Sequence, residues 1–419
     1  MSSCGASLLK SAFDRSSQTP APMRAFSEEA LSRYCTGGYH PVRIGDVFNG
    51  GRYKVLRKLG HGAYSTVWLA CDLKTNQHVA LKILTAESYG NGHDTFELDI
   101  LRHIRTLDTS HPGVDHILSL LNEFGHRGPN GNHMCLVAKP MGPDMIKCRR
   151  LFPKARIPLP MVKKIAARLL LALDFLHDKC GIIHTDIKPQ NILLETPLID
   201  KMFEHARSEV FTSKLPSLAP PNDFYRPSEQ LSSGEEDLAT ATDISVRLAD
   251  FGTASWTDKH LTDWIQPQML RAPEVILGVE WDSKVDIWNA GQNIPLSTTT
   301  TTAIWELAEG SLVFDGTWTS TAPYTAEAHL AQMEAVLGRM PKSLLARSKH
   351  RDLFFDHEDK LLSPTTFPPS PLERISQNPQ LSAAEKTSFL DFIQSMVKLD
   401  PEERLSAGKL LDAQWLKSA

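Results

Sequence analysis

From Arg52 the chain mixes apolar and polar residues in two short runs, Tyr53-Lys54-Val55-Leu56-Arg57-Lys58-Leu59 and Ser65-Thr66-Val67-Trp68-Leu69-Ala70, separated by a glycine-containing turn. Runs of this length and make-up, bounded by turn formers, predict two strands. Val79 to Leu84 predicts a third, and two more follow, the second from Met134 to Ala138 and leading into the turn Pro140-Met141-Gly142-Pro143. In between, Phe96, Ile100, Leu101, Ile104 and Leu107 recur at helical spacing. Beyond the turn the pattern becomes mainly helical. Met161, Val162, Ile165, Leu169, Ala172, Leu173 and Leu176 describe one long helix, with Lys179-Cys180-Gly181 as its stop signal.

This order predicts an α+β chain with a small β-rich lobe and a larger helical one. Residues 1–38 are expected to form a disordered tail, 39–139 the first lobe with its lead-in, and 140–417 the second. Residues 196–244 differ in texture, with five prolines and the run Ser232-Ser233-Gly234-Glu235-Glu236-Asp237; they read as an insertion that is partly flexible.

Composition narrows the function. The 419 residues are 41% hydrophobic, enough to fill a core, and the net charge is -4. A chain without basic excess is not expected to bind nucleic acid directly. Six scattered cysteines without a C-x-x-C pair argue against a zinc site or disulfide framework and fit a reducing compartment. No run approaches the roughly 18 apolar residues of a membrane helix, and residues 1–30 hold no apolar signal core, so a soluble intracellular chain is expected.

Five stretches carry chemistry. Gly60-His61-Gly62-Ala63-Tyr64-Ser65-Thr66-Val67 places two glycines where backbone amides could approach a polyphosphate without Cβ obstruction. Lys82 lies in an apolar strand, and Glu97 opens the next helix, where it could neutralise that cation. Ile183-His184-Thr185-Asp186-Ile187-Lys188-Pro189-Gln190-Asn191 puts a carboxylate, a lysine and an amide into one loop. Those groups can accept a hydroxyl proton, steady a migrating phosphoryl group and ligate Mg²⁺. Asp250-Phe251-Gly252 offers a second metal-binding carboxylate, and Arg271-Ala272-Pro273-Glu274 follows. Each alone is a common turn; the five in this order resemble the eukaryotic protein kinases.

The lead-in Tyr34-Cys35-Thr36-Gly37-Gly38-Tyr39-His40-Pro41-Val42, Ser65 at the third glycine position and His-Thr-Asp in the catalytic loop are similar to one branch, the SR-protein kinases. The resemblance implies a bilobal kinase fold and transfer of the ATP γ-phosphoryl group to Ser/Thr of protein substrates, Arg/Ser-rich splicing factors above all. It implies Asp186 and Lys188 as catalytic residues, and Asn191 and Asp250 as Mg²⁺ ligands. Leu59, Gly60, His61, Gly62, Ala63, Tyr64, Ser65, Val67, Ala80, Lys82, Glu97 and Met141 would form the ATP site. Glu274 is expected to pair with Arg404, and Asp286 to anchor the catalytic loop. A monomer in cytoplasm and nucleus is expected. The competing reading is a pseudokinase, a nucleotide-binding docking scaffold.

Departures qualify the resemblance. Thr185 replaces the arginine that holds an activation-loop phosphate, which predicts activity without that phosphate. Ala138 stands where a bulky residue precedes the hinge, which predicts room behind the adenine unless Met134 refills it. Pro267 and Gln268 replace a Thr and an Arg near the phosphosite. After Asp286-Ile287-Trp288-Asn289-Ala290-Gly291, fourteen residues stand where the family has four before Glu306, Pro295 and five threonines among them. Proline costs about 3 kcal/mol inside a helix, so either a loop bulges here or coding sequence was misjoined, the second being favoured. Asp315 and Glu327 alone supply acid near the docking region, fewer partners than an Arg/Ser substrate would use.

Overall fold

The computed structural model describes residues 28–88, 95–107, 110–195, 244–291, 304–309, 313–319, 321–363 and 367–417. The insertion at 196–243 and the stretch 292–303 lie outside the described residues, so the expectations placed on them are not addressed by the structure.

The small lobe is a six-stranded antiparallel sheet, β1 (Val47–Phe48), β2 (Tyr53–Gly62), β3 (Ser65–Asp72), β4 (Gln77–Leu84), β5 (Leu120–Gly128) and β6 (Gly131–Ala138), in spatial order β1-β2-β3-β4-β6-β5. Register aligns Gly60 with Val67, Val67 with Lys82 and Lys82 with Leu136, so one row of the sheet carries the loop glycine and the lysine together. On the other face Val42, Phe48, Tyr53, Val55, Trp68, Leu81 and Val137 form the lobe's own core. Helix α1 (Glu97–Thr106) begins with Glu97 and Asp99 at its electropositive end and buries Leu98, Ile100, Leu101 and Ile104 at helical spacing.

In the large lobe α2 (Leu159–Asp174) is the central rod, with Val162, Ile165, Ala166, Leu170 and Leu173 inaccessible to solvent. Its end is a π-helical turn, Phe175–Cys180, closed by Gly181 at φ 64, so the expected glycine stop is present but wider than an α-helical one. Further helices, α3 (Lys284–Gly291), α4 (Ile304–Glu309), α5 (Ala326–Leu337) and α6 (Ala383–Met396), contribute to the same apolar core. Among the described residues no helix is long and apolar enough to cross a membrane.

One boundary moves. The ordered lobe begins before Tyr39: Glu29 is 4% exposed and reaches the buried Lys58 at 2.5 Å, while Tyr34 packs on Tyr39 with ring centres 5.5 Å apart. The charge and serine content of the tail concealed this, because the partner of Glu29 lies in a strand 29 residues away.

Candidate active site

The catalytic loop runs between the short strands β7 (Ile182–Ile183) and β8 (Ile192–Glu195), which pair with β10 (Ser255–Trp256) and β9 (Ser245–Leu248). Those pairings put the loop beside Asp250. Asp186 Oδ2 accepts from Lys188 Nζ at 2.5 Å and from Asn191 Nδ2 at 3.0 Å; its Oδ1 is buried and has no partner among the described residues. A buried carboxylate oxygen without a partner keeps an acceptor lone pair for a donor that reaches it. Asn191 also donates to the Asp186 carbonyl at 2.8 Å, which leaves its amide oxygen as its acceptor end.

The loop is fixed from below. Asp286, wholly buried on α3, accepts from the backbone N–H of His184 at 2.8 Å and of Thr185 at 2.7 Å, with His177 Nε2 2.9 Å away. These bonds hold Thr185 at φ 65, a left-handed conformation unfavourable for a β-branched residue. The Thr185 hydroxyl donates to the Thr253 carbonyl at 2.8 Å, and His184 Nε2 donates to the Ala249 carbonyl at 3.0 Å. Asp250 and Gln266 are also left-handed, at φ 66 and 65. Backbone held in sparsely populated regions by surrounding bonds gathers at functional sites.

Lys82 joins the lobes. Its Nζ lies 2.5 Å from Glu97 and 2.8 Å from Asp250. Burial works against its charge, yet the two carboxylates outweigh that and raise its pKa; Lys82 in turn holds Asp250 well below the usual carboxylate range. Burial raises the pKa of Glu97, with the Lys82 charge opposing the shift, and Glu97 meets the lysine from the start of α1. Phe251 is buried beside His184, ring centres 5.1 Å apart.

The remaining expected positions divide. Leu59, Gly60, Gly62, Val67 and Ala80 are half-buried along the cleft rows of β2, β3 and β4, Ala80 opposite Ala138, and Met141 is buried at the turn beyond β6. Ala138 itself is half-buried. Ser65 is 6% exposed. His61, Ala63 and Tyr64 are exposed, the His61 ring lying with Glu28 and Glu29, so these positions offer backbone alone. Below the activation segment Arg404 binds Glu274 through both nitrogens, at 2.6 and 2.7 Å, with neither side chain accessible.

Three contributors had no signal in the sequence pattern. Thr253 receives the Thr185 bond. Thr95 Oγ1 donates to the Gly252 carbonyl at 3.1 Å. Gln266 accepts from the Ala272 N–H at 2.9 Å while donating to the Val285 carbonyl and Asn289, which locks the segment leading to Glu274. All three act across the fold through backbone groups, and no local spacing marks them.

A β-rich lobe bearing a glycine loop and a paired lysine, set over a helical lobe bearing an aspartate–lysine–asparagine loop and a second aspartate, defines a phosphotransferase of the protein kinase type. The family description "Protein kinase domain" matches residues 53–416. The chain is 31% identical to protein kinase dsk1 of fission yeast, over 93% of this chain and 85% of that one. It is 33% identical to the serine/threonine-protein kinase SRPK of Physarum polycephalum (93% and 91% covered) and 27% identical to mouse SRSF protein kinase 3 (93% and 90%). The chain belongs to the protein kinase family, in its serine/threonine SR-protein kinase branch.

Proposed function

We propose that the chain transfers the γ-phosphoryl group of Mg-ATP to serines of Arg/Ser-rich proteins, and does so without phosphorylation of its activation segment. The observation that carries the chemistry is the unpartnered Asp186 Oδ1, with Lys188 held against the other oxygen of the same carboxylate. A substrate hydroxyl donating to Oδ1 is aimed at the γ-phosphorus. Its oxygen forms the new P–O bond as the bond to the β–γ bridging oxygen breaks, Asp186 takes the proton, and ADP leaves. Lys188 and Lys82 place positive charge beside the transferred and retained phosphates, and the loose transition state rewards positioning of this kind. Asn191 and Asp250 are oxygen donors of the kind Mg²⁺ takes, and the cation, when bound, neutralises charge on the phosphate oxygens.

Independence from phosphorylation is supported by what ties the activation segment down. Thr185 bonds Thr253, Thr95 bonds Gly252, and the His103 ring on α1 meets Trp256 edge-on at 5.3 Å. Two of these ties are hydroxyl-to-carbonyl hydrogen bonds and the third is a ring contact, so none is made through a phosphate. The substrate class rests on the relatives named for SR proteins. Docking charge among the described residues is sparse: Asp315 gives one carboxylate oxygen, Oδ1, to Thr317 and Gln332, and Glu327 is exposed.

The test is phosphate transfer from Mg-ATP to an Arg/Ser-repeat peptide and to a Lys/Thr-rich basic protein, before and after phosphatase treatment of the enzyme. Preference for the Arg/Ser peptide, retained after phosphatase and reduced about 10²–10⁴-fold in Asp186→Asn, is the expected result. Transfer only to the basic protein would remove the substrate assignment. Nucleotide binding without any transfer would leave a docking scaffold.

A further inference from the structure

The lead-in does more than extend the small lobe. Its Tyr39 hydroxyl lies 2.7 Å from the Gly62 carbonyl and 3.1 Å from the Ala63 carbonyl, and Arg33 Nη2 donates to the Ala63 carbonyl at 3.2 Å. Gly62 and Ala63 form the tip of the glycine-rich loop between β2 and β3. The segment that reaches them is itself built in. Glu87 N–H donates to the Gly37 carbonyl at 2.7 Å and Ala86 N–H to the Gly38 carbonyl at 3.2 Å. Gly37 N–H donates to the Asn130 carbonyl, and Asn130 Nδ2 to the Tyr39 carbonyl at 2.7 Å. Gly37 has φ 87, and a Cβ on Gly38 would meet the Arg33 carbonyl at 1.9 Å, so both glycines are required for this path. The Arg33 guanidinium, paired with Glu87 at 2.7 Å, also lies 5.4 Å over the Tyr39 ring. Further back, Glu28 and Glu29 close on Lys58 in β2 at 2.9 and 2.5 Å.

We infer that Tyr39 and Arg33 are positioning residues for nucleotide: the lead-in grips the glycine-rich loop by its tip carbonyls and holds it down over the phosphates. The loop's side chains at His61, Ala63 and Tyr64 are exposed, so its carbonyls are the groups it can offer to a clamp while its N–H groups serve the phosphates: the Tyr64 carbonyl takes the Thr85 N–H at 2.9 Å, and those of Gly62 and Ala63 are taken by the lead-in. The Tyr39 phenol is suited to the task, since burial raises its pKa and keeps its proton in place. Loss of the clamp weakens the hold on nucleotide and leaves the Asp186 loop untouched.

The inference rests on the nucleotide-binding reading above, and the experiment separates the two. Mg-ADP affinity is measured by calorimetry, and KM for ATP and kcat by peptide phosphorylation, for wild type, Tyr39→Phe, Arg33→Ala and the double variant. Tyr39→Phe keeps the ring and removes only the hydroxyl. It is expected to weaken Mg-ADP and raise KM for ATP by about three- to tenfold with kcat held or increased. The double variant is expected to lose more, with melting temperature close to wild type. Affinity and KM within twofold of wild type in the double variant would overturn the clamp. A proportional fall in kcat with unchanged ADP affinity would also overturn it, as the mark of general disturbance. Wild-type protein that binds no Mg-ADP would overturn the kinase reading itself.

Discussion

The catalytic loop and the glycine-rich loop face each other across the cleft, yet they are held by opposite means. Below, Asp286 is wholly buried and grips the backbone of His184 and Thr185 from within the same lobe. Above, the loop tip is exposed and is gripped from outside by Tyr39 and Arg33. A general base has to stay within hydrogen-bond reach of the group it deprotonates, about 2.6–3.2 Å between heavy atoms, and buried charge-assisted bonds supply that rigidity. A phosphate cover has to open for each product to leave, and a surface clamp of one or two neutral-acceptor bonds can release and re-form. The energies follow the duties.

Breaking the lower anchor has the largest expected effect. Asp286→Asn turns one acceptor oxygen into a donor facing buried N–H groups, so both charge-assisted bonds suffer. A loss of about 3–5 kcal/mol of stability is expected by chemical denaturation. Under permissive conditions kcat falls while KM for ATP stays within about twofold, the reverse of the split expected for Tyr39→Phe. A rise in KM for ATP matching the fall in kcat would show that the two loops are held as one unit, and the contrast would be lost.

The same contrast explains what was readable in the sequence. Strands, helices and the groups that the structure brings together were readable by period and motif, because each is specified within a dozen residues: Lys82 in its apolar strand, Asp186 with Lys188 and Asn191, Glu97 opening a helix. Even two distant pairings, Glu274 with Arg404 and Asp286 with the catalytic loop, came with the resemblance. The docking of Glu28 and Glu29 on Lys58 was invisible, since a polar segment bound to a buried lysine far along the chain has the same composition as one that is not. The side-chain directions of His61 and Tyr64 were equally hidden, for a glycine motif specifies backbone approach and says nothing of the residues between. Thr95, Thr253 and Gln266 bond backbone groups across the fold, and no residue type marks its own backbone partner.

The second prediction tests the upper anchor through pH. His40, next to Tyr39, is 7% exposed, with the rings of His126 and His133 centred 4.6 and 5.0 Å away. His133 Nδ1 faces the Leu84 carbonyl at 2.9 Å and must be its donor. Burial first, and then its two histidine neighbours, lower His40 from 6.5 to about 3. Burial likewise lowers His126 and His133, with Asp46 opposing it at His126. The folded value lies below the unfolded one, so the stabilisation is whole above pH 6.5 and is lost as pH falls from 6.5 toward 3. Between pH 6.5 and 5 the His40 contribution amounts to about 2 kcal/mol. Denaturation midpoints from pH 7.5 to 5 should therefore fall more steeply in wild type than in His40→Gln. Parallel curves would mean that the ring already takes a proton within the fold.

The smallest expected effect returns to the catalytic loop and asks whether its upward tie matters on its own. Thr185→Val retains the β-branched shape and so faces the same conformational cost at φ 65; it removes only the hydroxyl that donates to the Thr253 carbonyl. One neutral hydrogen bond is worth about 1 kcal/mol, so kcat should fall about fivefold, with KM for ATP and phosphatase insensitivity unchanged. Because Asp286 still holds the loop from below, the melting temperature should move far less than in Asp286→Asn. A fall of a hundredfold or more would make Thr185 the main restraint on the activation segment. The rigidity of the catalytic loop would then come from the segment above it as much as from the buried carboxylate beneath.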